Sequence, residues 1–405
     1  MNFNIAADRR NTNSIKWNRE AIENISANPV AEPFWVADMD FLPEPHIQEA
    51  GRVLAGLGVY GYPSFPKDTA AVSQWLRQKH GWIMAKENII FAQGLLHALA
   101  LSINLFSKEG ASLLVPSPMY RPFREIPKRN NRKLIEHNLG YEDGLFYLDK
   151  ERFRADAENA DMIIFCSPQN PSGLVFSKED LEFVLQTAKE RNIPIISDEI
   201  HSDLAHPEAK HIPMGLANER IGAKCITLFA PSKTFNIAGE HCAFAVFSDD
   251  EMEKAFRDAE SALWLDEPGL SAGELAYAAY TKGSEYNKEL CRYLGESIEA
   301  MRKYLSLSCP GMKIVNGQAS FVTFIDCKEY YQKIEAEVLG HPDRYSGGEG
   351  GGILSRFFGV AAGVAVNDGT WFGSEWKEFV RFNYGTSRDR VMKALERMVR
   401  AVKAL

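Results

Sequence analysis

Residues 162–173 read Met162-Ile163-Ile164-Phe165-Cys166-Ser167-Pro168-Gln169-Asn170-Pro171-Ser172-Gly173. A short apolar, β-favouring run that passes at once into a cluster of Pro, Asn, Ser and Gly predicts a buried strand ending in a tight turn. Two more stretches repeat the design. Pro194-Ile195-Ile196-Ser197 runs into Asp198-Glu199-Ile200-His201, and Cys225-Ile226-Thr227-Leu228-Phe229 runs into Ala230-Pro231-Ser232-Lys233-Thr234-Phe235-Asn236. Parallel strands bring their C-terminal ends to one edge of a sheet, where ligands bind in α/β folds. On that edge an amide, a carboxylate and a lysine would meet.

Working outward, Asn88 to Phe91, Ser112 to Val115 and Ala243 to Phe247 supply further strand candidates. Lys178 to Arg191 carries Leu181, Val184, Leu185 and Ala188 on one helical face. The alternation over residues 85–250 predicts an α/β fold with a mainly parallel sheet covered by helices on both faces. After residue 250 the pattern changes. Helical stretches (Ser271 to Thr281, Tyr286 to Tyr304) lead into strand candidates at Ser320 to Ile325 and Phe379 to Asn383, and a last helix runs from Arg388 to Leu405. The expected division is a large domain over residues 45–285 and a smaller α/β domain formed by both chain ends, 1–44 and 286–405. The run SGGEGGG, Ser346 to Gly352, reads as a flexible surface loop.

Gly56-Leu57-Gly58-Val59-Tyr60-Gly61 matches the spacing of a dinucleotide-binding fingerprint. The fingerprint needs a strand before it and a helix after it, whereas a helix-like run from His46 to Leu57 precedes this one and Tyr62-Pro63 follows. A turn is the expected structure.

The 405 residues are 45% hydrophobic and 25% charged, which provides for a large core and excludes disorder. Lys and Arg number 46 against 54 for Asp and Glu, a net charge of -8, so the chain has no basic surplus for a nucleic-acid partner. The six cysteines form no C-x-x-C pair and the nine histidines no H-x-x-x-H or H-E-x-x-H spacing, so no disulfide framework or metal site is expected. The first twenty residues are charged throughout, and no later window is long and apolar enough to span a bilayer. A cytoplasmic protein without membrane segments is the expectation.

A lysine amine forms a Schiff base with an aldehyde cofactor, a carboxylate holds a pyridinium nitrogen protonated, and an amide hydrogen-bonds a phenolate. Lys233, Asp198 and Asn170 supply those three groups, the set that a pyridoxal phosphate site requires. Taken singly, Lys233 reads as a surface lysine and Asp198 as a helix cap. Their joint position at strand ends favours the site.

The segments Trp35-Val-Ala-Asp38-Met39-Asp40-Phe41, Gly58-Val-Tyr-Gly61-Tyr62, Ser167-Pro-Gln-Asn170-Pro-Ser-Gly173, Ile196-Ser-Asp198-Glu-Ile-His201, Ser232-Lys233-Thr-Phe-Asn236-Ile and Phe379-Val-Arg381-Phe-Asn383 span nearly the whole chain. Together they resemble the fold-type I pyridoxal-phosphate enzymes of the class I/II aminotransferase superfamily, and most of all cystathionine β-lyases (C–S lyases) of the MalY and PatB type. The resemblance implies that Lys233 binds the cofactor covalently and carries the substrate Cα proton. It implies that Asp198 pairs with the pyridine nitrogen, that Asn170 and His201 lie at the phenolic oxygen, and that Tyr120 stacks on the ring. Gly94, Leu95 and Leu96, at the end of a strand and the start of an apolar helix, would offer backbone N–H groups to the phosphate, joined by Ser232. Tyr62 would reach the phosphate of a neighbouring subunit, which makes a homodimer the expected assembly. Arg381 would clamp the α-carboxylate of a small amino-acid substrate. Asp38, in the loop to Phe41, and the Trp371 to Trp376 segment would line the pocket for the substrate side chain.

Two departures stand out. Relatives often carry a hydroxyl residue where this chain has Ala230, and an apolar or small-residue run where it has Gly239-Glu240-His241-Cys242. The implied reaction is β-elimination from a sulfur amino acid such as cystathionine, giving a thiol, ammonia and pyruvate. An aminotransferase would use the same residues, and a non-catalytic regulatory protein would keep the scaffold alone.

Overall fold

The computed structural model describes residues 1–63 and 66–405. Its larger sheet has seven strands: β1 (Ile89–Ala92), β2 (Ser112–Ser117), β3 (Lys133–Asn138), β4 (Met162–Cys166), β5 (Ile195–Asp198), β6 (Cys225–Phe229) and β7 (Ala243–Phe247). Their spatial order is β1-β7-β6-β5-β4-β2-β3. Alternate residues of the central strands serve two cores. Ile163 and Ile195 pack with Leu181, Val184 and Leu185 of helix α2 (Lys178–Arg191) on one face. Ile164, Ile196 and Ile226 pack with Leu95 and Leu99 of helix α1 (Leu95–Phe106) on the other. A sheet covered on both sides needs strands apolar on both sides, which is why these runs show no polar alternation.

The sheet is mixed. Strands β3, β2, β4, β5 and β6 pair in parallel, whereas β7 runs antiparallel to both β6 and β1. A parallel return needs a long crossover, usually a helix, but residues 230–242 between β6 and β7 contain only the short 3-10 turn Ala238–Glu240. Strand β3 is absent from the sequence reading because four of the six residues in Lys-Leu-Ile-Glu-His-Asn are polar and it sits at the sheet edge. Helix α2 has the predicted bounds, fixed by a capping box in which Ser177 and Asp180 bond reciprocally.

The smaller sheet contains β8 (Lys313–Ile314), β9 (Val322–Asp326), β10 (Asn367–Asp368) and β11 (Phe379–Asn383), ordered β8-β9-β11-β10 and antiparallel throughout. Helices α3 (Ser284–Ser308) and α4 (Arg388–Lys403) share a core with it, through Leu294, Ile298, Leu395 and Met398 against Val322 and Phe382. The N-terminal segment is stitched into this lobe. Phe34 donates its N–H to the Ala365 carbonyl at 2.8 Å, and its own carbonyl accepts from Asn383 N–H at 2.9 Å.

Two turn-rich stretches differ from one another. Gly58, at φ +69, ends the helix Pro45–Leu57 as a left-handed cap, in line with a turn rather than a dinucleotide loop. The glycine-rich run 346–352 is not a free surface loop. A Cβ at position 350 would overlap the Asn24 side chain, one at 351 the Ile25 carbonyl, and one at 352 the Asp368 carboxylate. These glycines let the backbone press against the N-terminal helix Arg19–Ser26 and against β10. Among the described residues, no helix is long and apolar enough to cross a membrane.

Candidate active site

Parallel pairing sets the strand ends level. Cys166 lies opposite Asp198 and Asp198 opposite Leu228, so the turns that follow β4, β5 and β6 open on one crevice. Its cavity, about 290 Å3, is lined by Gly94, Leu95, Leu96, Tyr120, Asn170, Asp198, His201, Ser232 and Lys233. Nine of the twelve residues singled out from the sequence thus share one cavity. Gln93, His97 and His241 also line it; the motifs gave no reason to pick the first two.

Asp198 ends β5, is buried, and among the described residues accepts a single side-chain hydrogen bond, from Ile200 N–H at 3.0 Å. Burial pushes its carboxyl up to about 7; the Ile200 N–H and Lys233 pull the other way, and Glu199 adds to the rise. A buried carboxylate in that state calls for a cationic partner. Lys233 donates from Nζ to the Ala37 carbonyl at 2.6 Å. Burial, reinforced by Arg381, lowers its ammonium to about 8, which makes the free amine accessible near neutral pH.

Asn236, at φ +56, clamps the lysine turn to the loop that follows Ala37. Its side chain accepts from Met39 N–H at 3.0 Å and donates to the carbonyls of Met39 and Phe41 at 2.9 Å each. This contact explains how two motifs almost two hundred residues apart fix one amine.

Helix α1 starts at Gly94, φ +98, with no side-chain cap, so the N–H groups of its first turn face the cavity unclaimed by any capping side chain. His241 approaches the same glycine: a Cβ there would lie 3.5 Å from its Nδ1. His201 is buried and holds Nδ1 against Ser320 Oγ at 3.0 Å, while its Nε2 has no partner among the described residues. Burial, then Lys233 and Arg381, push its imidazole down to about 3, so it is neutral.

Arg381 comes from β11, outside the cavity lining but in contact with it. It donates through Nη1 to Asn170 Oδ1 at 3.4 Å and through Nη2 to the Trp35 carbonyl and Asn367 Oδ1, both at 2.7 Å. Its Nε is buried without a partner among the described residues. Burial lowers the guanidinium to about 10, and it stays charged at neutral pH.

Two residues lie elsewhere. Tyr62 is fully exposed and does not line this crevice. The Asp38 carboxylate takes both Arg9 terminal nitrogens, at 2.9 and 3.0 Å, and lies 3.5 Å from Lys16 Nζ, so it is engaged in an ion cluster beside Ala37. The Trp371 to Trp376 segment is likewise not part of the lining. Trp376 is buried, bonded through Nε1 to Ser117 Oγ at 2.9 Å, and Trp371 bonds the Gly350 carbonyl at 2.8 Å. Phe372 and Trp376 are buried in the core beside the smaller sheet, and the Phe372 ring lies under the Arg381 guanidinium.

These groups fit pyridoxal phosphate. The buried carboxylate matches a pyridinium N–H, the orphaned His201 Nε2 and Asn170 match a phenolic oxygen, and the uncapped helix start matches a phosphate. The fold and crevice define an α/β scaffold that gathers lysine, aspartate and asparagine at the ends of a seven-stranded sheet. The chain belongs to the aminotransferase class I and II family, whose sequence profile matches residues 39–398. It is 30% identical to cystathionine beta-lyase PatB of Bacillus subtilis (strain 168), over 99% of this chain and 100% of that one. To the cystathionine beta-lyase of Corynebacterium glutamicum it is 28% identical, over 98% of this chain and 99% of that one. The PLP-bound C-S lyase from Staphylococcus hominis shares the fold, with a TM-score of 0.88 at 24% identity, over 99% of this chain and 98% of that one.

Proposed function

We propose that the protein is a pyridoxal-phosphate-dependent C–S β-lyase that converts a sulfur amino acid such as cystathionine, with water, into a thiol, ammonia and pyruvate. One observation carries the reading: Lys233, Asp198 and Asn170 meet in a single crevice of a chain that matches cystathionine beta-lyases from end to end. When bound, the cofactor supplies the electron sink that protein side chains lack. Everything else falls to the chain. Lys233 Nζ would hold the cofactor covalently, and its amine would carry the proton from the substrate Cα to the departing sulfur. Asp198 holds a proton on the ring nitrogen, Asn170 and His201 orient the phenolic oxygen, and Tyr120 covers the ring. The N–H groups of Leu95 and Leu96 with Ser232 Oγ hold the phosphate. The Arg381 guanidinium takes the substrate α-carboxylate, for which its Nε is uncommitted.

In this reading a large domain, 45–285, and a small one, 1–44 with 286–405, face each other across the crevice. The protein is a homodimer in which Tyr62 of one protomer reaches the phosphate site of its partner. The exposed apolar side chains of Leu57, Val59, Tyr60 and Tyr62 support such a contact.

The test is incubation of pure holoenzyme with cystathionine and no oxo-acid acceptor, following pyruvate, ammonia and free thiol. A lyase continues through many turnovers. A transaminase stops after about one equivalent per site, because its second half-reaction needs an acceptor.

A further inference from the structure

We propose that Ser320, a residue of the smaller lobe, positions His201 by fixing its imidazole as the Nε2–H tautomer, so that Nε2 faces the crevice as a hydrogen-bond donor. The inference rests on the cofactor reading above and deepens it.

Ser320 Oγ accepts from Val322 N–H at 3.3 Å and lies 3.0 Å from His201 Nδ1. A hydroxyl has one proton to give. Were Nδ1 to carry the imidazole proton, Ser320 Oγ would receive two donors and its own proton would point at no acceptor. That leaves a buried donor unmatched, with its desolvation uncompensated. With Nδ1 bare, the hydroxyl donates to it, every group at that end is matched, and the ring proton sits on Nε2. His201 is neutral, so it has one N–H only, and Nε2 is the nitrogen that lacks a protein partner. The unmatched donor is thereby the Nε2–H of a ring that lines the cavity, where the anionic oxygen of the proposed cofactor can take it.

Ser320 is itself held hard. Its φ is +76, rare for a residue other than glycine. Its carbonyl accepts from Tyr384 OH at 2.7 Å and lies 3.0 Å from His206 Nε2, and its N–H donates to the Leu204 carbonyl at 2.9 Å. Strain of this kind persists where surrounding contacts over-determine it, and it clusters at functional positions. Ser320 is a positioning residue: it touches His201 and not the cavity.

The charged groups that bear on His201 are Lys233 and Arg381, and the other titratable groups on the same cavity are Asp198, Tyr120, Cys166, His97 and His241. The substitutions below leave all of them in place. Ser320→Gly removes the hydroxyl and suits the positive φ, so it preserves the backbone contacts. The readout is the pH titration of the bound cofactor's absorbance in the holoenzyme. A donor at the phenolic oxygen stabilises its deprotonated form and lowers the midpoint. Ser320→Gly is therefore expected to raise the midpoint by about one pH unit, as loss of a hydrogen bond to a charged oxygen would, and His201→Ala by at least as much. A midpoint unchanged in Ser320→Gly while His201→Ala shifts it overturns the role of Ser320; unchanged in both, it overturns the donor itself. Nitrogen-15 spectra of histidine-labelled protein without cofactor provide the second measurement. His201 should show a protonated Nε2 and a bare Nδ1, and Ser320→Gly should mix the two tautomers, whereas a protonated Nδ1 in the unsubstituted protein overturns the proposal. Wild-type protein with no cofactor absorbance at all would refute the functional reading instead, and the spectra would still decide the tautomer.

Discussion

Two charged clusters lie on either side of Ala37, and they are opposites. On one side Asp38 and Asp40 meet Arg9, Lys16 and Arg390. Asp40, fully buried, is 2.9 Å from a nitrogen of each of those three cations. In the crevice, by contrast, Asp198 has no cation in hydrogen-bond contact, and His201 Nε2 and Arg381 Nε lack partners among the described residues. The pKa directions record the difference. Burial raises both carboxyls, but Lys16, Arg390 and Arg9 more than reverse the effect at Asp40, whereas Lys233 is too weak an influence to do so at Asp198. A matched buried cluster holds a loop in place; an unmatched one marks a candidate binding site.

The sharpest way to break this contrast is Lys233→Ala. Turnover should fall by about 10⁴-fold or more, since both the covalent anchor and the proton carrier are lost. Borohydride reduction followed by peptide mapping should place the pyridoxyl group on Lys233 in the wild type, and a label on another lysine would void the assignment.

Next in size, Asp40→Ala should leave three cations facing an empty site and cost about 3–5 kcal/mol of stability. Urea unfolding measures this. A loss under 1 kcal/mol would show that the cluster does not hold the loop.

Asp198→Asn should lower the rate by about 10²-fold, near 3 kcal/mol of the barrier. It should also change the pH dependence of stability in the protein without cofactor. Because the folded pKa lies above the unfolded one, the wild type holds a proton that the unfolded chain has released. Its stability should therefore fall as pH rises from about 4 to about 7, and level off beyond. Thermal unfolding across that range should show a shallower slope in Asp198→Asn; identical slopes would contradict the pairing argument.

The smallest effect is expected of Arg381→Lys. A point charge cannot replace the planar fork, so kcat/KM should fall about 10- to 100-fold, mostly through KM. Unchanged kcat/KM for every amino-acid substrate would remove Arg381 from substrate capture.

The sequence carried the strand cores and the helix bounds because those depend on neighbours in the chain. Met162–Cys166, Cys225–Phe229, Ala243–Phe247, Phe379–Asn383 and Lys178–Arg191 lie where the apolar pattern put them. It also carried the chemical set at the strand ends, since parallel pairing converts similar positions in successive βα units into one edge. Other features were settled by contacts between distant segments. Strand β3 takes its place from an edge hydrogen-bond ladder with β2 despite polar residues. The run 346–352 is fixed by close approach to Asn24, Ile25 and Asp368, which composition alone reads as looseness. The ion pairs of Asp38 come from the folding of Arg9 and Lys16 against it, a contact that its local sequence does not show. Ser320 reads as the polar start of a strand; the pairing of Ala319 with Ala205 brings its hydroxyl to His201. Local pattern determines which groups a chain can offer, and tertiary packing decides which of them are left without a partner.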